Sequence, residues 1–585
     1  MKILNLATLT PVLALMACAQ QPLKQTEAQA QPPAATAPAP KPRVVVMRPT
    51  AKPQVLPNQE MSQEILYKML LAEIALQRGQ NNVAVQSYLE LTRETKDPRI
   101  AQRATEIAWN SRLPGPALET AGIWLAADPE SLQARQILAA LLINQSRLAD
   151  ARPHLEKSLA ADKENIGHNF LQLNALLARH PDKAAVLQLT QSLAQPYPTV
   201  PEAHFGIAQA AMNADQTPLA LKEIREALSL RPDWEQAALL QGQLLLRTSN
   251  TEAAAYFRDY LKNHPRALDV RLNYARMLVT EKKYPEARGE FQALLKDFPN
   301  NPDVTMAVGL LSLQLNDYDA AEVQLKHALE TKYKDPDAVR FYLGQLNEER
   351  KRPDEALRWY SSIEFGEQYV PARARYATIL AKQGKLSDAR KYLQESARNP
   401  QQVVQFTQAE AQLLREVNDY RAAYDVLSRA VEKNPNSPEL LYDQAMAAEK
   451  VDLYDVLESN LRKVIQIKPD YAHAYNALGY TLADRNMRLQ EAYTLIEQAL
   501  KLSPEDPFIM DSMGWVLYRM SQSDAALTFL KRAFELRPDA EIAAHLGEVL
   551  WAAGQRDEAR KVWNGALKDN PGNELLLATL KKFSP

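Results

Sequence analysis

Three successive lines of sequence repeat one pattern: YAHAYNALGYTLADRNMRLQEAYTLIEQALKLSP (residues 471–504), EDPFIMDSMGWVLYRMSQSDAALTFLKRAFELRP (505–538) and DAEIAAHLGEVLWAAGQRDEARKVWNGALKDNP (539–571). In each line a glycine (Gly479, Gly514, Gly547) sits among apolar residues at helical spacing. An alanine (Ala492, Ala526, Ala559) follows in the second half, and a proline (Pro504, Pro538, Pro571) closes the line. The apolar period is that of a helix in both halves. Small residues at the eighth and twentieth positions take away bulk where two antiparallel helices cross. Larger residues at positions 4, 7, 11 and 24 fill the space around that crossing. Proline at position 32 ends the second helix.

The spacing extends backwards through the chain. Position 20 falls at Ala84, Ala117, Ala151, Ala185, Ala220, Ala253, Ala287, Ala321, Ala356, Ala389, Ala423 and Leu457 before the three lines quoted, always 33 to 35 residues apart. The copy around 165–198 is poor. Leu457 in place of alanine is expected to splay its helix pair. The pattern resembles the tetratricopeptide repeat, a helix–turn–helix unit of about 34 residues. Stacked units share one continuous core. The expected fold is therefore all-α: a tetratricopeptide-repeat solenoid, a right-handed superhelix of about 14–15 helix–turn–helix repeats, behind a disordered N-terminal linker. The solenoid is expected over residues 59–572 and a capping helix over 573–585.

The rest of the 585 residues agrees with a helical array. Net charge is −2, with only 17 glycines and 7% aromatic residues. There is no basic footprint for nucleic acid. The single cysteine, Cys18, excludes an intramolecular disulfide and a cysteine-based metal site. Lys2 precedes an apolar run from Ile3 to Ala17, too short to span a bilayer and suited to an export signal. Leu15-Met16-Ala17-Cys18 resembles the lipobox of bacterial lipoproteins, which implies cleavage after residue 17 and lipidation of Cys18. Ala19, rather than Asp, implies sorting to the outer membrane, with the chain lipid-anchored and facing the periplasm. Residues 18–58, rich in Ala, Pro and Gln, are then a spacer unable to bury enough apolar surface to fold.

No glycine-rich phosphate loop, GxSxG elbow, HExxH helix or EF-hand loop occurs. The eight histidines do not fall at metal-ligand spacings. The chain is read as a non-enzyme without cofactor or metal. A repeat solenoid offers a surface instead. Positions 2, 5, 9, 12 and 13 of the first helices are expected to line its concave side. This selects His473, Asn476, Tyr480, Trp515, Tyr518, Arg519 and Trp551 as protein-binding candidates, with Phe508, Asp511, Glu541 and Glu548 beside them. Further candidates are Arg276, Phe341, Gln345 and Tyr442. Exposed aromatics in a groove act as anchors; the alternative is that Trp515 and Trp551 pack against the neighbouring repeat. The Lys/Asn clamp by which some chaperone-binding members hold a peptide carboxylate is not evident.

The runs 476–485, 511–519 and 541–551, with Leu71-Ala72-Glu73-Ile74-Ala75 and Asp97-Pro98-Arg99, resemble the proteobacterial outer-membrane tetratricopeptide lipoproteins. That resemblance implies an adaptor that binds a periplasmic carboxyl-terminal processing protease and brings cell-wall hydrolases to it. The alternative is an assembly or structural factor for an envelope machine such as a pilus, a secretin or a polysaccharide exporter.

Overall fold

The computed structural model describes residues 56–583 apart from 58 and 570. The expected signal segment, Cys18 and nearly all of the expected linker lie outside the described residues.

Among the described residues there are 31 α-helices and no strands. Thirty of them follow one another two to a repeat, and in fourteen of these fifteen repeats the two helices pack together; one last helix, α31 (Glu574–Phe583), follows. The chain divides into two compact units, residues 1–331 and 332–585. The described helices of the first unit run from α1 (Gln63–Gln77) to α16 (Tyr318–Glu330). The second begins with α17 (Pro336–Glu349) and includes the pairs that carry the candidate site: α23 (Pro438–Glu449) with α24 (Tyr454–Ile467), α25 (Ala472–Asp484) with α26 (Leu489–Leu502), α27 (Pro507–Arg519) with α28 (Ser523–Leu536), and α29 (Ala540–Ala552) with α30 (Arg556–Asp569). The alanine spacing, 35 residues from Ala321 to Ala356, carries no mark of the division.

The helices stop where proline chemistry requires. α26 ends at Leu502, Ser503 leaves helical conformation at φ −139°, and Pro504 follows. Steric conflict with the proline ring disfavours helix for the residue before it. The next helix starts on Asp506, whose Oδ1 accepts from the amides of Phe508 and Ile509 at 2.8 and 3.2 Å, with Pro507 at the first helical position.

The small-residue register has a direct steric cause. Thirteen of the fourteen alanines named at position 20 have no exposed surface. The exception is Ala185. It is half-buried, and Val186 takes the buried position in α8 (Lys183–Ala194). The poor copy around 165–198 is thus one residue out of the alanine register. Leu457 is also buried, packed with Leu441, Ala445 and Ala448.

The glycines at position 8 serve the large residue at position 24. A Cβ on Gly547 would lie 2.0 Å from Trp563 Nε1, and one on Gly514 would lie 2.5 Å from Leu530 Cγ. On Gly479 it would meet Ile496 at 2.6 Å, and on Gly344 it would meet Tyr360 at 2.4 Å. Each glycine is a socket. The side chain filling it is buried: Trp563, Leu530, Ile496 and Tyr360 are all at 0% exposure. At interior packing density such a socket has no spare volume.

Candidate protein-binding face

The site is built on α23, α25, α27 and α29, the first helices of four consecutive pairs. One residue advances a helix by about 100°. The residue after each socket glycine therefore leaves the pair's crossing and turns to another face. These residues are Tyr480, Trp515 and Glu548.

Trp515 is at the centre and is 5% exposed. Its ring stacks on His545 with centroids 4.3 Å apart and planes 25° apart. Its Nε1 donates to Asp484 Oδ1 at 3.3 Å. Trp515 is thus not the exposed anchor that its helical position predicts. The His545 ring from the following pair covers it. Tyr518 lies 5.5 Å from it, centroid to centroid, and the Arg519 guanidinium lies 5.8 Å from its ring. Arg519 Nη2 also donates to the Asp484 carbonyl at 3.3 Å.

His545 is buried, and its Nδ1 lies 2.9 Å from Asp511 Oδ2. Burial alone would depress its basicity. The Asp511 carboxylate outweighs that, with Asp484 and Glu541 adding to it, so the ring titrates above its ordinary value. Tyr480 stands on the other side of the imidazole, its hydroxyl 3.5 Å from Nε2. Burial drives that hydroxyl's pKa far up. The carboxylates of Asp484, Asp511, Glu541 and Glu449 push it in the same direction. Glu449 is itself raised, first by burial and then by Asp484 and Glu541, against the opposing charge of Lys450.

The other predicted residues are spread around this centre. Asn476 lies one turn before Tyr480, and its Oδ1 is buried with no hydrogen-bond donor among the described residues. His473 is exposed and meets Tyr471 edge-on at 6.2 Å. Trp551 is displaced from the group. It packs on Trp563 at 5.8 Å and Phe583 at 6.1 Å, with Arg556 and Arg560 over its ring at 5.3 and 5.2 Å. Its role in this arrangement is to close the last pair against α31. Lys582 joins the same closure by donating to Glu548 at 3.0 Å.

Three participants were absent from the sequence-derived set. Asp484 is at position 13 and Glu449 at position 12, both already assigned to this face, so the positional rule alone finds them. His545 has no such signal. Its partner, Asp511, is 34 residues away, and the pair exists only once repeats stack.

The same helix pairs define the relatives of this chain. A tetratricopeptide-repeat family model matches residues 205–267, 239–302, 306–369 and 512–574. The TPR repeat-containing protein PA4667 of Pseudomonas aeruginosa is 33% identical over 490 residues, covering 83% of this chain and 82% of that protein. The chain belongs to the tetratricopeptide-repeat family. The cellulose synthase operon protein C of Pseudomonas fluorescens is 25% identical over 414 residues, 58% of this chain and 32% of that one. Among solved structures, that of Naa15/Naa10 bound to HypK-THB aligns over 89% of this chain and 95% of its own, at 14% identity and a TM-score of 0.34. Tetratricopeptide-repeat proteins bind other proteins and are generally non-catalytic scaffolds. The described helices include none long and apolar enough to cross a membrane.

Proposed function

We propose that this protein is an outer-membrane lipoprotein scaffold. Its second unit presents the first-helix face of α23, α25, α27 and α29 to partner proteins in the periplasm. The observation that carries the reading is that face itself: aromatic, histidine and carboxylate side chains from consecutive repeats assembled around Trp515, with Tyr480 beside them. The lipobox-like Leu15-Met16-Ala17-Cys18 supports the anchor. Anchoring raises the effective concentration of whatever binds, and a long repeat array accommodates two partners at once. The partners proposed are a carboxyl-terminal processing protease and its cell-wall hydrolase substrates, in keeping with the family resemblance in the sequence.

Affinity capture of the acylated protein from envelope extract tests this. A processing protease together with a hydrolase should be recovered, and adding the purified protein to the protease should speed hydrolase turnover. Cys18→Ser should abolish acylation and move the protein out of the membrane fraction. Membrane retention of that variant would remove the anchor from the proposal. Unchanged hydrolase turnover would remove the adaptor role.

The similarity to cellulose synthase operon protein C supports a second reading, a structural factor for polysaccharide export. Capture of export components in place of a protease would favour it.

A further inference from the structure

A cavity of about 430 Å³ opens beside α20 (Leu386–Ser396), α21 (Pro400–Glu416) and α22 (Tyr420–Lys433) of the second unit. It shares no residue with the face around Trp515. Its origin lies in the turn between α20 and α21. α20 stops after 11 residues at Ser396, and Ala397 is extended at ψ 130°. The Tyr369 hydroxyl donates to the Ser396 carbonyl at 2.7 Å, and Arg398 Nη1 donates to the Glu364 carbonyl at 2.7 Å. Both bonds hold the turn to the preceding repeat. The apolar core divides at the same place. Leu393 and Phe406 belong to one cluster and Val426 and Leu440 to the next, and all four line the cavity.

The lining is sorted by chemistry. Leu393, Phe406 and Leu440 are buried, whereas Val403 at the opening is 46% exposed. The one lining carboxylate, Glu410, is buried and already engaged. Arg390 Nε donates to its Oε1 at 2.8 Å, and Gln394 Nε2 donates to both of its oxygens at 2.9 and 3.0 Å. Arg429 and Lys433 line the same cavity one turn apart on α22. Both are exposed, and neither has a hydrogen bond or ion pair among the described residues. The acids beside them on α22 do not compensate: Asp425 is paired with Arg421 at 3.2 Å, and Glu432 is not part of the lining. What is left unmatched is an apolar floor and two groups that only donate. The complement is an apolar body that carries a carboxylate.

We infer that this cavity receives a segment of a partner protein in which an aspartate or glutamate stands beside a leucine-sized apolar side chain. The apolar side chain covers Phe406 and Val403, and the carboxylate meets Arg429 and Lys433. Charge complementarity selects the acidic residue. The cations stand at the exposed rim of an apolar centre, which is the anatomy of a protein contact; a small-molecule site converges its polar groups inside. The inference rests on the scaffold reading in taking a protein as occupant, and it adds a second contact to that reading.

The test uses the full-length protein and a short fluorescein-labelled Gly/Leu/Glu peptide, followed by fluorescence anisotropy. The peptide should bind, and affinity should fall as salt is added. Replacing Leu by Ser in the peptide should weaken binding at least about tenfold, and replacing Glu by Lys should remove it. The double variant Arg429→Gln, Lys433→Gln changes exposed side chains only and should bind the Gly/Leu/Glu peptide about fivefold more weakly. The variant Lys561→Gln, Lys568→Gln removes the same charge from exposed positions of α30 and should bind as the wild type does. Equal weakening by both variants would reduce the effect to net charge and overturn the site. So would wild-type binding that is indifferent to either peptide replacement, a measurement that needs no variant to fold. Octanoate that competes at the peptide's own concentration would make this a site for a small amphipathic anion and overturn the protein segment as occupant. Envelope capture separates the cavity from the scaffold reading. If the Arg429→Gln, Lys433→Gln variant recovers every partner that wild type does, the cavity is not a contact and the scaffold stands. If wild type recovers none, the scaffold itself falls, and peptide binding alone decides the cavity.

Discussion

Neighbouring residues on α25, α27 and α29 have opposite duties. Gly479, Gly514 and Gly547 face the second helix of their own pair, where the nearest atoms leave no room for a methyl group. Tyr480, Trp515 and Glu548, one position later, face the repeats that follow or the last helix. The socket side is set by volume and repeats with the period of the chain. The other side is set by charge, ring contacts and hydrogen bonding and differs from one repeat to the next. A substitution can therefore break one face and leave the other, and the size of the effect says which was struck.

The largest effect belongs to the socket side. Ala526 has no exposed surface, and its carbonyl oxygen would lie 3.1 Å from a Cβ on Gly514. Ala526→Arg would push a long side chain and a charge into that crossing. A cost of about 4 kcal/mol or more is expected, from overpacking and an unpaired buried charge together. Hydrogen exchange should show loss of protection across α27 and α28, and circular dichroism should show the lost helix. Retained protection would mean that the crossing can open without cost.

A milder pair of changes sharpens the contrast within one repeat. Gly547→Ala places a methyl group against the buried Trp563 ring, which must move. Gly565→Ala in α30 meets nothing within 4 Å. Alanine favours helix over glycine by about 1 kcal/mol at both places. Overpacking of about 1–3 kcal/mol should override that gain at Gly547 alone. Urea midpoints should move down for Gly547→Ala and up for Gly565→Ala. Two upward shifts would show that Trp563 relaxes freely and that the socket is not a constraint.

The same contrast explains what could be read from the sequence. A crossing that excludes a methyl group must use small residues at fixed spacing, and the alanines from Ala84 to Ala559 record it directly. The record failed at Ala185, where a one-residue shift brought Val186 into the core. Position numbers also put Asn476 and Tyr480 on the first-helix face proposed for binding, but they could not say that Trp515 would be covered. Its cover is His545, supplied by the next repeat and fixed by Asp511. Nor could they separate Trp551 from Trp515 and Tyr480, because α31 and Phe583, against which it packs, follow the last repeat and have no place in the pattern. Volume is periodic along this chain; polar pairing between repeats is not.

The smallest expected effect tests that polar pairing through pH. His545 faces Asp511 on α27, Asp484 on α25 and Glu541 on its own helix, with the Tyr480 hydroxyl beside Nε2. Despite burial, these carboxylates hold its folded pKa above the unfolded value of about 6.5. The folded state thus binds the proton more tightly than the unfolded state. By linkage, the pair's contribution to stability is complete below about pH 6.5 and is lost as pH rises through the folded value. His545→Gln keeps a hydrogen-bonding side chain but removes the titration. The wild type's advantage over this variant in urea should be greatest near pH 6 and should shrink on the alkaline side. An advantage that stays constant with pH would show that His545 acts as a neutral wall for Trp515. An advantage that grows with pH would show that the folded protein prefers the uncharged ring, so that burial outweighs the carboxylates around it.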